Sequence, residues 1–439
     1  MASEPPSAPP ARDPAANTRS KPRSRRRRIA TLVVLALALL LLLDQIGVRE
    51  LSGRDFPQTD PLSPALRVHV EALAAPAWAG RVPGSEGNAA AARYLADALA
   101  AAGVKPFPSL GGYLAPLAEP TSPLGHNVLG WIPPEGPGEP RGTVVLGAHF
   151  DHLGKTDEGL LLGADDNAAA VAVLLGAIPS LLAQHPRPYG IAVAFFNTEE
   201  SPYFGTPRQG SQRFVAALPT EIGGLTSIRL AVVLDLIGGV VWRRTAETIF
   251  ACGAEKTLGL PAIVDGVHEP GLDVRRLGIH AVENIPGYAP QPFSDYDVFR
   301  DHGVPFLFLS SGRTPRYHRA SDLPDTLFYD RMARTSRWIA SLVPALAAAP
   351  PALSFDPRGE DLAAERDTLR FAFDAAAKPW SSIPGTSPIT AARILGDRSR
   401  LEAMAEPGHV WTPEDARSIE RASFRLQCLL YRYPVCFTL

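Results

Sequence analysis

Acidic and imidazole side chains recur in this chain at the points where apolar runs end. The run from Thr143 to Phe150 contains His149, and the run from Ile191 to Asn197 is followed by two glutamates. Taken singly, an acidic residue at such a point is more often a cap or a surface charge than a metal ligand. The candidate ligands are His149 with Asp151, Asp165 and Asp166, Glu199 and Glu200, Asp235, and His318.

Taken together, these side chains predict a site for a pair of divalent cations. Buried strands that deliver several carboxylates to one edge of a sheet concentrate negative charge, and burying that charge is very costly unless cations neutralise it. Imidazole and carboxylate ligands suit zinc, although cobalt or manganese could occupy the same sites. His149 and Asp151 are two residues apart on a strand and should face the same side, whereas His152 should point the other way.

The elements that must position these residues follow a strand, helix, strand pattern. Two buried strands, Thr143 to Phe150 and Ile191 to Asn197, flank a helix from Ala168 to Leu182, and a third buried strand ends at Asp235. This pattern is typical of α/β proteins, whose ligands bind at the carboxyl ends of parallel strands. We therefore expect a mixed, mostly parallel central sheet with helices on both faces.

Two further segments carry local structural predictions. His126 to Ile132 and the strand after it are joined by the turn-forming sequence PPEGPGEPRG, which predicts a hairpin at an antiparallel edge of the sheet. In AGRVPGSEGN, the loop from Gly80 to Gly87 is expected to be structural, and Asn88 is expected to cap a helix over Ala89 to Ala102.

Five motifs give the chain a family resemblance. GAHFD, GADDNAAA, NTEES, LDLIG and YHRASD occur in this order, and the stretch from Ala79 to Ala349 resembles the zinc aminopeptidases of metallopeptidase family 28, which also contains the glutaminyl cyclases. The resemblance implies two zinc ions bridged by Asp166, with Glu199 as the general base and Asp151 orienting His149. The implied ligands are His149, Asp166 and Asp235 at one zinc ion and Asp166, Glu200 and His318 at the other.

The chemistry of these side chains agrees with that assignment. Two metal ions that share a carboxylate can bind one water, lower its pKa and polarise a scissile carbonyl. Adjacent glutamates on a regular strand cannot both face one metal, so Glu200 is expected to be a ligand while Glu199 carries the proton to the leaving amine. The predicted function is hydrolysis of N-terminal residues from peptides.

Other functions remain open at this level. Family members commonly carry Ser-Asp-His where this chain has Ser294, Asp295 and Tyr296, and the position of a tyrosine that helps to hold the oxyanion in some members is Gln291. Tyr288 or Tyr296 could substitute, although packing is the preferred interpretation of each. A glutaminyl cyclase and a non-catalytic binding relative are the alternatives, and dipeptidase or carboxypeptidase action and the preferred side chain are left open.

The N-terminal region predicts attachment to a membrane. The formal net charge of the 439 residues is −2, which gives no reason to expect a nucleic-acid partner, but a basic cluster ending at Arg28 precedes an uncharged run from Ile29 to Leu43. Fifteen helical residues span only about 22 Å, so an anchor must also use Gln45 to Val48. No small-residue cleavage site follows, which favours an uncleaved anchor over a removed signal or a soluble helix. The positive-inside rule then predicts a single-pass protein of the bacterial inner membrane with a periplasmic catalytic domain.

The expected organisation is a basic tail over residues 1–28, a signal anchor over 29–48, a catalytic domain over 60–349 and a helical C-terminal extension over 350–439. In the extension, helices are expected from Glu360 to Ala377 and from Thr412 to Tyr431. Cys428 and Cys436 could form one disulfide in an oxidising compartment or remain two buried thiols. The oligomeric state is not predicted.

Overall fold

A computed structural model of the chain describes residues 27–35, 51–117, 124–285, 288–348, 353–377 and 388–431. The described residues from 51 onward form one compact unit. Residues 27–35 are helical, while the rest of the predicted anchor, residues 36–48, and the predicted Cys428–Cys436 pair lie outside the described side chains. In the described part, the one helix long and apolar enough to cross a membrane is Ala164–Leu182, and it is mostly buried within the protein.

An eight-stranded sheet forms the centre of the compact unit. Its strand order is β1-β2-β6-β3-β7-β11-β8-β10, and the neighbours β6, β3, β7 and β11 run parallel to one another. Strand β2 is antiparallel to β6, and β8 is antiparallel to β11. The strands of this sheet are β1 (Leu114–Pro116), β2 (His126–Ile132), β3 (Thr143–His149), β6 (Gly190–Phe196), β7 (Ile228–Leu234), β8 (Thr248–Cys252), β10 (Asp273–Leu277) and β11 (Phe306–Ser310). Two short antiparallel pairs complete the strands, β4 (Gly154–Thr156) with β5 (Gly159–Leu161) and β9 (Thr257–Leu258) with β12 (Ser354–Phe355).

Helices cover both faces of the sheet, as the sequence predicts. In chain order they are α1 (Ser63–Leu73), α2 (Glu86–Ala101), α3 (Ala169–Leu182), α4 (Gly210–Ala216), α5 (Leu260–Gly266), α6 (Ile279–Glu283), α7 (Tyr296–Asp301), α8 (Tyr329–Ala348), α9 (Leu362–Ala377), α10 (Pro388–Ala403) and α11 (Pro413–Tyr431). Helices α1, α2, α3, α5 and α8 share one apolar cluster, and helices α4, α6, α7, α9, α10 and α11 contribute to the other.

The alternation of side chains along β3 explains why both faces are apolar. Val144 and Leu146 belong to the cluster with α3 and α8, whereas Val145 belongs to the opposite cluster. Successive side chains of a strand point to opposite faces, so a strand buried on both sides reads as one continuous apolar run. Such strands are fixed in the middle of the sheet, and their carboxyl ends meet at one edge.

Two local predictions are corrected by the structure. Strands β2 and β3 do not form the expected hairpin, because β6 lies between them and pairs with both. Helix α2 begins at Glu86, and its cap is Ser85, whose hydroxyl accepts a hydrogen bond from the backbone N–H of Asn88 at 3.1 Å. The Asn88 amide instead bonds to Asn197 Oδ1 at 2.9 Å, just after β6.

Candidate metal centre

The carboxyl ends of β3, β6, β7 and β11 bring the predicted ligands to one edge of the sheet. His149 is the last residue of β3, and Asp235 directly follows β7. Glu199 and Glu200 follow the end of β6 at Phe196, and His318 lies in the loop after β11. Because these four strands are parallel neighbours, residues from four distant parts of the sequence meet here.

Asp166 reaches the same edge from the loop before α3. Gly163 begins the turn with a φ of 60°, a backbone conformation that glycine adopts without strain. A Cβ on Gly163 would lie 2.1 Å from the backbone oxygen of Asp166, so a side chain there would displace the turn. Asp166 itself is buried and lies near His149 at the end of β3 and His318 in the loop after β11.

One group of ligand atoms surrounds His149. Its Nε2 lies 3.3 Å from Asp166 Oδ1 and 3.6 Å from Asp235 Oδ2. Glu199 Oε2 is also near, at 3.7 Å from the same nitrogen. His149, Asp166 and Asp235 therefore form a buried trio whose donor atoms converge.

A second group shares Asp166 through its other oxygen. His318 Nε2 lies 3.2 Å from Asp166 Oδ2 and 3.4 Å from Glu200 Oε2. The His318 side chain is about one-third exposed, whereas the carboxylates are buried, so the centre is open to solvent on the His318 side. All five predicted ligands are thus brought together around Asp166.

These distances fit a metal centre better than a set of hydrogen bonds. Ligand atoms at about 2.0 Å from a tetrahedral ion lie about 3.3 Å from one another, close to the separations in both groups. Hydrogen bonds between the same atom types are shorter, at about 2.7 to 2.9 Å. Moreover, His149 Nε2, Asp166 Oδ2, Asp235 Oδ1 and His318 Nε2 are buried and make no hydrogen bond, which is costly unless a cation binds them.

The electrostatics of the centre also favour added positive charge. Burial opposes ionisation of Asp166, but the nearby imidazoles of His149, His318 and His152 outweigh it and hold the pKa of this carboxyl well below its usual range. Burial likewise works against the charged His149, yet Glu199 and Asp235 raise the pKa of the imidazole well above its usual value. Burial also works against the charged His318, but Asp166 and Glu200 raise the pKa of this imidazole to about 10. A site whose carboxylates favour protonation of two imidazoles would also attract a metal cation.

Asp151 supports both groups from behind. Its carboxylate accepts hydrogen bonds from the backbone N–H groups of Glu199 at 3.1 Å and Glu200 at 3.2 Å. His149 Nδ1 lies 3.2 Å from the Asp151 backbone oxygen and 3.7 Å from its carboxylate. Asp151 therefore orients the turn that carries both glutamates. It also lies beside the imidazole ring of His149, which is the partner predicted for it from the sequence.

His152 occupies the centre, contrary to the sequence-based expectation that it points away. Its Nδ1 lies 2.8 Å from Glu200 Oε1 and 3.8 Å from Asp166 Oδ2. Strand alternation does not apply to it, because β3 ends at His149. His152, Asp166 and Glu200 form a further possible ligand trio, but the 2.8 Å contact has hydrogen-bond length and gives His152 the position of a partner to Glu200.

Three other buried residues hold the loops of the centre, and one of them, Asp165, is among the candidate ligands of the sequence. Asp322, in the YHRASD motif, accepts hydrogen bonds from the backbone N–H groups of Asp165 at 2.8 Å and Asp166 at 3.1 Å. Asp165 is turned away from the two groups, and its carboxylate accepts the N–H groups of Gly238 and Gly239. Arg81 donates to the backbone oxygens of Leu73, Phe150, Leu162 and Gly163.

The tyrosines considered as oxyanion partners lie elsewhere. The Tyr296 hydroxyl donates to Glu283 Oε1 at 2.6 Å, and its ring stacks on Phe306, so packing explains it. Tyr288 is 69% exposed. Tyr317 is the tyrosine nearest the predicted ligands in sequence, and its ring stacks on His318 with centroids 3.7 Å apart.

Comparison with known proteins supports the fold and the family. The model of peptidase family M28 matches residues 127–343. The uncharacterized protein YfbL of Escherichia coli strain K12 is 25% identical over 242 residues, which cover 50% of this chain and 71% of YfbL. LapB from Legionella pneumophila has a similar fold, with a TM-score of 0.50 and 18% identity over 65% of this chain and 72% of LapB. A glutaminyl cyclase from Porphyromonas gingivalis gives a TM-score of 0.48 and 17% identity over 65% and 98% of the two chains.

The matched stretch is also the stretch that builds the centre. It holds His149, Asp166, Glu200, Asp235 and His318, together with Asp151 and Glu199. The described structure thus combines a metal-binding arrangement with the fold of a hydrolase family that depends on metal ions. Residues 127–343 of this chain thus match peptidase family M28, the family that its five motifs resemble.

Proposed function

We propose that this protein is a membrane-anchored, extracytoplasmic aminopeptidase that uses two zinc ions to hydrolyse N-terminal residues from peptides. The observation that carries the proposal is the pair of ligand groups that share Asp166, with His149 Nε2 and His318 Nε2 at 3.3 and 3.2 Å from its two oxygens. His149, Asp166 and Asp235 would hold one zinc ion, and Asp166, Glu200 and His318 the other. Bound there, zinc would activate a water and polarise the scissile carbonyl.

Glu199 is the residue we assign as general base. Its Oε2 lies 3.7 Å from His149 Nε2, beside the trio but outside the second group. Burial and the neighbouring carboxylates Asp295, Glu200 and Asp235 raise its pKa well above the usual value, against the opposing effect of His149. Positive charge in both ligand groups would lower this pKa again, so that Glu199 can accept a proton from the attacking water and return it to the leaving amine.

Carboxylates at the centre favour a substrate with a free amino terminus. A free amine would bind a zinc ion through its lone pair and donate hydrogen bonds to a neighbouring carboxylate, whereas a blocked or internal residue has no such group to offer. This reasoning supports exopeptidase over endopeptidase action and favours the amino end of the peptide over its carboxylate end.

The membrane part of the proposal is supported by the N-terminal segment. Residues 27–35 are helical, and the apolar side chains of Ile29, Leu32, Val33, Val34 and Leu35 are each more than half exposed. A helix that is apolar on every side needs an apolar environment. Carbonate extraction of cell membranes and protease treatment of spheroplasts test this part; release of the chain by carbonate, or protection of residues after 50 from external protease, would contradict it.

The catalytic part is tested by assaying the purified protein with leucine p-nitroanilide, its N-acetylated form and a peptide that begins with glutamine. We expect hydrolysis of the free aminoacyl substrate only, abolished by a chelator and restored by zinc. Ammonia release with ring closure of the glutamine peptide, and no hydrolysis, would instead identify a glutaminyl cyclase. No turnover of any substrate by zinc-loaded protein would point to the non-catalytic alternative. Asp157→Asn, a substitution at an exposed position, should keep the wild-type activity and serves as the control for substitutions at the metal centre.

A further inference from the structure

A deep apolar pocket opens directly from the carboxylates of the metal centre. It has a cavity volume of about 140 Å³ and is lined at one end by Asp166, Glu199 and Asp235. From there its walls become apolar, with Phe250 and Phe308 from the sheet among them. An apolar cavity of about 150 Å³ can hold a benzene ring, so this one has room for a large apolar side chain beside the reacting atoms.

The far wall of the pocket comes from the C-terminal extension. Leu369 and Ala372 of α9 and Leu426 of α11 line the pocket, and all three side chains are buried. These helices lie beyond residue 343, where the family match ends. The wall is therefore a property of this chain and does not follow from membership of the family.

The polar groups of this wall are already hydrogen-bonded within the protein. The Thr368 hydroxyl donates to the backbone oxygen of Arg276 at 2.6 Å, and the Gln427 amide donates to the backbone oxygen of Val282 at 3.3 Å. What the wall offers to a ligand is mainly methyl and methylene groups. An apolar group gains free energy on packing against such a wall, while a charged group loses its hydration without finding a partner on this wall.

The wall is held in place by charged contacts to β10 and α6. The His280 ring bonds to Glu365 of α9 through Nε2 at 2.7 Å and to Glu420 of α11 through Nδ1 at 3.0 Å. Arg275 of β10 lies over the ring of Phe371, 3.7 Å from its centroid. A fixed wall can discriminate between side chains by size, because it cannot move away from one that is too large.

We infer that α9 and α11 form the specificity wall of the substrate pocket and that the pocket accepts a large apolar side chain from the N-terminal residue of the substrate. This inference rests on the proposed aminopeptidase function. It adds that the extension decides which side chain is accepted, and that leucine and phenylalanine are preferred over alanine and over charged residues.

The test reduces the volume of the pocket by placing a larger side chain on α9. Ala372→Phe should reduce kcat/KM for leucine and phenylalanine p-nitroanilides by about tenfold or more, with alanine p-nitroanilide changed less than threefold. Asp367→Phe, which places the same ring at an exposed position of α9, should change none of the three. Equal effects of Ala372→Phe on all three substrates, with an unchanged melting temperature, would overturn the inference.

A second variant and a binding measurement cover the case in which Ala372→Phe does not fold. Leu426→Ala enlarges the pocket and should raise kcat/KM for tryptophan p-nitroanilide relative to alanine; an unchanged ratio contradicts the inference. Calorimetric titration should show that L-phenylalanine binds the wild-type protein more tightly than L-alanine and that Leu426→Ala alters this difference. If the wild-type protein hydrolyses alanine p-nitroanilide as well as the leucine and phenylalanine substrates, the inference about the pocket fails and the proposed function stands. If it binds phenylalanine selectively but hydrolyses no substrate, the proposed function fails and the inference about the pocket stands.

Discussion

His149 and His318 face the two oxygens of one carboxylate, that of Asp166, at 3.3 and 3.2 Å. The imidazoles come from different elements, the end of β3 and the loop after β11, so the shared carboxylate is the point at which two sets of ligand atoms join. A carboxylate that serves two cations brings them close enough to act on one substrate. Asp166 is therefore the residue whose loss should affect both groups at once.

Asp166→Asn should abolish activity and reduce zinc content below one ion per chain. An amide is a poorer metal ligand than a carboxylate and cannot neutralise two cations, so we expect kcat to fall by at least about 10³-fold. Zinc per chain is measured by inductively coupled plasma mass spectrometry after gel filtration. Asp157→Asn provides the control, and retention of two zinc ions by Asp166→Asn would refute the shared-ligand assignment.

Glu199 and Glu200 should separate chemistry from metal binding. Glu199→Gln removes the proposed base without removing a ligand, so zinc content should stay at the wild-type value while kcat falls by about 10²- to 10⁴-fold. Glu200→Gln should lose zinc from the group that contains His318. Measuring zinc content and kcat for both variants checks the assignment, and loss of zinc in Glu199→Gln would show that the roles are reversed or shared.

Much of the centre could be predicted because its ligands lie at the ends of strands that read as continuous apolar runs. Thr143–His149 and Gly190–Phe196 are buried along their whole length, and strands of that kind occupy the middle of a parallel sheet. Asp235 follows a third such strand. Position along the chain therefore implies position in space for these residues, and the edge at which they meet follows from strand direction alone.

What the sequence could not supply depends on contacts between distant segments. The insertion of β6 between β2 and β3 is a choice of strand partner, which local turn signals do not determine. The prediction for His152 is wrong because strand alternation does not extend beyond His149, the last residue of β3. Helix α10 is not predicted from the sequence. The approach of α9 and α11 to the pocket depends on tertiary packing, because the apolar face of a helix fits many possible partners.

His152 should act as a positioning residue for Glu200. Its Nδ1 contact of 2.8 Å to Glu200 Oε1 has hydrogen-bond length, whereas His318 Nε2 lies 3.4 Å from Glu200 Oε2. Loss of such an outer partner lowers metal affinity or activity by about 10- to 100-fold, so His152→Ala should keep both zinc ions at saturating zinc but bind one of them more weakly. His318→Ala should lose that ion outright. Zinc titration with a competing chelator distinguishes the two, and equal losses would make His152 a ligand.

Arg81 should be essential for stability. The buried guanidinium donates to backbone oxygens on both sides of the centre, including Phe150 at 2.5 Å and Gly163 at 3.0 Å. Arg81→Met would leave these oxygens without a donor and remove a positive charge near Asp151 and Asp166, which should lower the free energy of unfolding by about 3 to 5 kcal/mol. Urea unfolding of the metal-free protein measures this effect. Arg93→Met, at an exposed position of α2, should change stability by less than about 0.5 kcal/mol, and an equally small effect at Arg81 would contradict the structural role.

His280 should make the docking of the C-terminal helices dependent on pH. Burial lowers the pKa of this imidazole, but the hydrogen bonds to Glu365 and Glu420 outweigh burial and raise the pKa to about 10. Because the folded pKa lies above the ordinary value of 6.5, the protonated ring contributes its full stabilisation below about pH 6.5 and loses it progressively as pH rises to about 10. His280→Gln should therefore be less stable than the wild type at pH 6, and the difference should shrink towards pH 10. Urea unfolding of both proteins at pH 6, 8 and 10 measures it, and a difference independent of pH would mean that the ring stabilises the wall by packing and not by its charge.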